Sequence, residues 1–154
     1  MQVSMNQKER FKTDYFDLLL VDFKKKILGR AHGNYSKSYE SFKRINSTER
    51  FFREAVAGRD HPAVLDIGCG DGYHVCVFNT IDGMAENAYV YGIDLSKSRI
   101  EFASLVCREL SFSNIRWLVG SAEILPFSAD RFDITLCSDV VEHLAHPDQC
   151  FAEM

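Results

Sequence analysis

The chain has 154 residues, 46% hydrophobic and 26% charged, the balance of a globular protein with room for one core. No apolar run approaches the roughly 20 residues of a bilayer span, and the opening MQVSMNQKERFK lacks the apolar stretch of a secretory signal, so a cytoplasmic chain with no membrane span is expected. The formal charge of −4 is unevenly divided: residues 1–62 carry +5 and residues 63–154 carry −9, which suits the second part to a cationic ligand rather than a phosphate-rich one.

In chain order, residues 6–30 predict a helix, with Phe11, Tyr15, Leu18 and Leu19 at helical spacing and Gly29 closing it. HGNYSKSYESFKR is polar and aromatic, a loop or a short helix. Asn46 stands three residues before Glu49, an arrangement that opens a helix over FFREAVA, with Gly58 just past its end. Residues 1–60 are therefore expected to form an N-terminal helical cap and residues 61–154 a core.

From Ala63 the pattern changes. AVLDI is a short apolar run of the kind buried on both faces of a parallel sheet. GCGDG is a turn, YHVCVFNTI has helical length, and AYVYGID is a second strand ending in Asp94. Ser96 is placed to cap KSRIEFASLVCREL. IRWLVG is a third strand, SAEILPFSADR a loop, FDITLCS a fourth strand and DVVEHLAH a helical turn. Pro147 opens a last helix, PDQCFAEM, at the position proline favours. This order predicts an α/β, doubly wound parallel sheet with right-handed crossovers. Four strands are few and the last helix runs out without a stop signal, so the expectation is a fold whose C-terminal strands are missing, with FDITLCS as an open edge for self-association.

In such a sheet ligands bind beyond the carboxyl ends of the strands. Asp66, the glycine turn, Asp94, Ser121–Glu123 and Cys137–Ser138 all fall there. The turn reads Gly68-Cys69-Gly70-Asp71-Gly72, which is GxGxG, and Tyr73 occupies the place of the third glycine in a dinucleotide fingerprint. Asp66 and Asp71 beside it would repel a pyrophosphate, and no GK[ST] follows. Asp94, 22 residues after Gly72, is placed to accept from both hydroxyls of a ribose. The pattern asks for a ribose, little negative charge, and a helix start for one carboxylate.

The blocks VLDIGCGDG, YGIDLS, GSAEILPF and FDITLCSDVVEHL, in this order and spacing, resemble the class I S-adenosylmethionine-dependent methyltransferases, most closely the type 11 group, from Ala63 onward. The resemblance implies a Rossmann-like fold and S-adenosyl-L-methionine as cofactor. It implies that Asp66, Gly68, Cys69 and Gly70 line the methionine part, that Asp94 binds the ribose hydroxyls and that Leu95 covers an adenine face. Ser121, Ala122 (through its backbone) and Glu123 would sit near the adenine edge, and Cys137 and Ser138 beneath the methyl donor. Many relatives carry Asp where Ser121 stands, and a hydroxyl is a weaker acceptor.

Each assignment has an ordinary alternative. Asp66 would otherwise cap the turn, Trp117 is core rather than ligand-facing, and Tyr35 and Tyr39 pack a cap rather than fold over a cofactor. Five cysteines without CxxC spacing are reduced, mostly buried thiols. Asp139, Glu142 and His143 lie at i, i+3 and i+4. They resemble metal-binding clusters of some methyltransferases, but a helix-start carboxylate is the plainer account, so no metal is expected. His143 is the candidate general base.

The function expected is methyl transfer by in-line displacement to an unidentified acceptor, a small molecule being favoured over nucleic acid or protein. The alternative is a catalytically incomplete cofactor-binding fragment, or a subunit that needs a partner. A nicotinamide oxidoreductase would need the absent third glycine.

Overall fold

The computed structural model describes residues 50–79, 81 and 84–154. The helix expected over 6–30, the aromatic stretch with Tyr35 and Tyr39, and the Asn46–Glu49 cap lie outside the described residues.

A helix over 50–56 (α1) ends at Gly58, whose φ of 73° is the left-handed value that terminates helices. Then come β1 (Ala63–Ile67), α2 (Tyr73–Phe78), the short α3 (Met84–Asn87), β2 (Tyr89–Asp94), α4 (Lys97–Glu109), β3 (Ile115–Val119), β4 (Ile134–Cys137), a 3-10 turn (Val141–His143) and α5 (Pro147–Glu153). The strands form one parallel sheet in the order β3-β2-β1-β4. Sequential strands step outward from β1 to β3, and β4 then returns to β1's other side. This reversal creates the switch point at which open α/β sheets bind ligands.

Register decides which residues end up level. Ile67 pairs with Ile93 on one side and Cys137 on the other, so β1, β2 and β4 finish together and Gly68, Asp94 and Ser138 emerge at one edge. At the opposite end Asp133 fixes the start of β4. Its carboxylate accepts from the Ala63 N–H at 2.8 Å and from Arg59 Nη1 at 2.9 Å. Nearby, Asn114 Nδ2 lies within hydrogen-bond distance of Asn79 Oδ1 and of the Met84 and Ala88 carbonyls, joining the ends of α2 and α3 to β3.

Both faces are covered, as the continuous apolar reading of AVLDI requires. On one face Val64, Val90 and Ile115 meet α2 and α4 through Val75, Cys76, Val106 and Cys107. Phe52 of α1 joins this layer and stacks on Phe78 with ring centroids 3.9 Å apart. On the other face Leu65, Ile67 and Ile93 pack against the loop after β3 and against Cys150 of α5, with Tyr91, Phe127 and Phe132 in edge-to-face contact. No helix among the described residues is long and apolar enough to cross a membrane.

Several local expectations are revised. The helix after the glycine turn stops at Phe78. Ser96 occupies the N-cap of α4, but its hydroxyl meets Ser98 Oγ at 3.1 Å instead of capping an amide. DVVEHLAH makes only a 3-10 turn of three residues: Asp139, with φ 56°, keeps the segment from starting as a helix, and Leu144 leaves the turn in an extended conformation.

Candidate functional site

Glycine lets the turn after β1 fold back onto the neighbouring strand. Gly68, Gly70 and Gly72 all have positive φ, of 69°, 53° and 78°. The Gly68 and Cys69 N–H groups both donate to the Ile93 carbonyl, at 2.8 and 3.0 Å, and so tie the turn to the end of β2. The Asp94 side chain completes the clasp. Its Oδ2 accepts from the Gly70 N–H at 2.9 Å and its Oδ1 from the Ser96 N–H at 2.8 Å. One carboxylate thus organises both the glycine turn and the entry to α4. A carboxylate has about four acceptor positions, so a ligand's hydroxyls can still reach it.

Beneath this clasp lies Asp66. It is 1% exposed, and its Oδ2 has no hydrogen-bond partner among the described residues. Burial, and then the like charge of Asp94, push its carboxyl up to about 8. A buried, unpartnered carboxyl oxygen is costly unless it is protonated or meets a cation, which makes it the strongest local indication of what the site takes.

The remaining predicted residues fall around this centre. Cys69 is buried, with its sulfur against bare Gly92. Leu95 is 76% exposed beside Asp94 and offers an apolar surface there. The loop after β3 is anchored at this edge by the Gly120 N–H donating to the Asp94 carbonyl at 3.0 Å. Within it Ser121 Oγ accepts from the Glu123 N–H, Ala122 is buried, and Glu123 Oε1 accepts from the His146 N–H at 2.6 Å. Cys137 ends β4 level with Ile67, and Ser138 follows it, half-buried. Burial pushes the Cys137 thiol up to about 12 and also raises that of Cys69. Both thiols are neutral near pH 7, so neither is a thiolate nucleophile.

His143 is exposed and lies on the 3-10 turn. The preceding Val140 rests on Gly68 so closely that any side chain there would collide with it, which sets the 139–143 segment against the glycine turn. Asp139 precedes the turn, so Asp139, Glu142 and His143 do not share a helical face. Among the described residues no group of three or more His, Cys, Asp or Glu side chains is placed to hold a metal ion.

Two contacts escape the sequence reading. Trp117 of β3 is half-buried against the core, with the rim of its indole filling the space where Gly72 and Gly92 lack side chains. Its Cη2 lies 2.5 Å from an ideal Cβ on Gly72, so the glycine turn rests on a tryptophan. Arg99, in the first turn of α4, places Nη1 3.0 Å from an ideal Cβ on Gly70 and supplies a cation at the rim. The available signal was its place two residues into α4 and five residues after Asp94, the strand end at the site.

The arrangement can hold a compact polar ligand that offers hydroxyls to Asp94, a positive group to Asp66 and an apolar face to Leu95. Comparison with known proteins bears on the family and the fold. A family model described as a methyltransferase domain matches residues 59–154. The uncharacterized methyltransferase YcgJ of Bacillus subtilis is 36% identical over 85 residues, covering 53% of this chain and 30% of that protein. A ubiquinone biosynthesis O-methyltransferase of Coxiella burnetii is 34% identical over 87 residues, covering 56% of this chain and 34% of that protein. The crystal structure of YcgJ superposes with a TM-score of 0.60 at 28% identity, covering 70% of this chain and 44% of that one. The chain thus spans about a third of the length of these curated relatives. With the family match over the whole sheet, and with that sheet wound as in its structural relatives, this chain belongs to the methyltransferase-domain family and has the class I methyltransferase fold.

Proposed function

We propose that the chain binds S-adenosyl-L-methionine at the carboxyl edge of β1, β2 and β4 and takes part in methyl transfer from it to an acceptor, with a small molecule favoured. The observation that carries this is the acidic pair. Asp94 clasps the glycine turn while Asp66 waits beneath with an unpartnered oxygen. A pyrophosphate-bearing dinucleotide would set negative charge against the Asp94 carboxylate and bring no cation to the orphaned oxygen of Asp66, whereas a ribose attached to a cationic amino acid matches both.

When bound, the cofactor supplies a methyl group on a sulfonium, with a neutral thioether as leaving group. The protein's task is then orientation and exclusion of water. Asp94 accepts from the ribose hydroxyls while keeping its hold on Gly70 and Ser96. Leu95 offers an apolar face to the adenine, and Ser121, Ala122 and Glu123 border its edge. Gly68, Cys69 and Gly70 leave bare backbone beside the amino-acid part. Cys137 and Ser138 would lie beneath the methyl donor, and in-line displacement would require an acceptor held opposite the sulfonium sulfur, across the methyl. His143, exposed on the turn against Gly68, is the base for a hydroxyl acceptor.

Titration calorimetry with S-adenosylhomocysteine and with NAD tests the cofactor. Binding of the first and not the second is expected, and the opposite preference removes the proposal. Asp94→Ala is expected to weaken binding about 10- to 100-fold, the usual cost of losing hydrogen bonds to a charged group. Unchanged affinity would remove the ribose assignment. A turnover assay with labelled cofactor then separates methyl transfer by this chain from cofactor binding alone.

A further inference from the structure

Asp66 and Asp94 differ in one respect that has a chemical consequence. Asp94 has a backbone N–H donor on each oxygen. Asp66 has none on Oδ2, is almost entirely sealed from water, and lies near enough to Asp94 for the like charges to oppose each other. Of two neighbouring carboxyls that resist double ionisation, the proton belongs on the one without donors and without solvent. The other titratable groups around it do not relieve it. Cys69 in the glycine turn and Cys137 at the end of β4 are neutral thiols, raised in part by Asp66 itself. Asp71 in the glycine turn, and Asp139 and Glu142 beside the turn set against Gly68, carry negative charge. Arg99 lies over Gly70 and His143 on the exposed turn, and neither gives Oδ2 a hydrogen bond.

We infer that Asp66 is a proton-exchange site. It is neutral in the ligand-free protein and gives up its proton to solvent when the cationic amino-acid end of the cofactor settles over the bare backbone of the glycine turn, above its buried carboxyl. The inference rests on the cofactor reading above and adds its regulation. The O–H bond of the carboxylic acid breaks, the proton passes to buffer, and the resulting carboxylate is neutralised by the ligand's ammonium. Affinity then rises with pH through the range in which Asp66 would otherwise hold its proton. The raised value of about 8 puts that range across neutrality.

Calorimetry with S-adenosylhomocysteine at pH 6.5, in buffers of different ionisation enthalpy, reads the exchange directly. At that pH the ligand's amino group is already an ammonium and Asp66 still holds its proton. About one proton released per ligand bound is expected. Asp66→Asn, which has nearly the same shape as the neutral acid, is expected to bind more weakly and to release none. Binding without release, or release that persists in Asp66→Asn, overturns the inference and leaves the cofactor assignment standing. Absence of binding in the unmodified chain overturns both. Independently of any ligand, the carboxyl carbon resonance of Asp66 is expected to titrate well above the ordinary carboxylate range. A resonance already ionised at pH 5.5 overturns the inference by itself.

Discussion

At the scale of single residues, Asp66 makes the ligand-free protein pay for its site. The unfolded chain releases this proton near the ordinary aspartate value, whereas the folded chain holds it to about 8. Between those values the native state binds more protons than the unfolded state, so stability falls as pH rises. Thermal melts of the ligand-free protein are expected to show a lower Tm at pH 8 than at pH 5. Asp66→Asn is expected to remove much of that fall, and identical slopes in the two proteins would contradict the assignment. Saturating S-adenosylhomocysteine is expected to restore stability at pH 8, because an ionised Asp66 then has a partner.

At the scale of elements, the contact between β3 and the glycine turn sets how well the site is held. The Trp117 indole occupies the space left by two glycines on different elements, so a methyl at either position has to displace it. At Gly92 an ideal Cβ would lie 2.6 Å from Trp117 Cε3 and 3.0 Å from Cys69 Sγ. Gly92→Ala is therefore expected to cost about 1–3 kcal/mol, the usual penalty of overpacking. Because Trp117 is the chain's single tryptophan, a shift of its fluorescence toward that of an exposed indole checks the displacement. Gly58→Ala is the control. Its φ is also positive, but nothing lies within 4 Å of an ideal Cβ, so its cost is confined to backbone strain of about 1 kcal/mol. A Gly92→Ala protein with unshifted fluorescence and control-like stability would refute the wedge.

At the scale of the whole molecule, α1 is part of the folded core rather than an appendage. Phe52 is 1% exposed and stacks on Phe78 of α2, which follows directly from the glycine turn. Phe52→Ala is expected to lower stability by about 3–5 kcal/mol in denaturant unfolding. It should do so in a single transition, since its ring packs in the layer that also holds Val64 and Val90. Two transitions would make α1 an independent unit.

Much of the fold was legible in the chain because its determinants are local. AVLDI read as a buried strand and AYVYGID, IRWLVG and FDITLCS as further strands from their apolar runs, and the glycines and Asp94 declared the loops that end two of them. Their alternation with helical stretches was enough to require parallel pairing and right-handed crossovers. Propensity failed where local geometry overrode the pattern. Asp139 at φ 56° before it and extended Leu144 after it confined DVVEHLAH to a 3-10 turn, and Ser96 turned its hydroxyl toward a neighbouring side chain. By itself, then, the sequence determined the four strands and the main helices between them, the winding of the sheet and the acidic character of its carboxyl edge. Only the tertiary structure decided that Asp94 clasps Gly70, that Asp66 is sealed beneath it without a donor, and that Trp117 supports the glycine turn. Those relations join residues more than twenty positions apart, and they depend on the register with which separate strands meet, which no local pattern encodes.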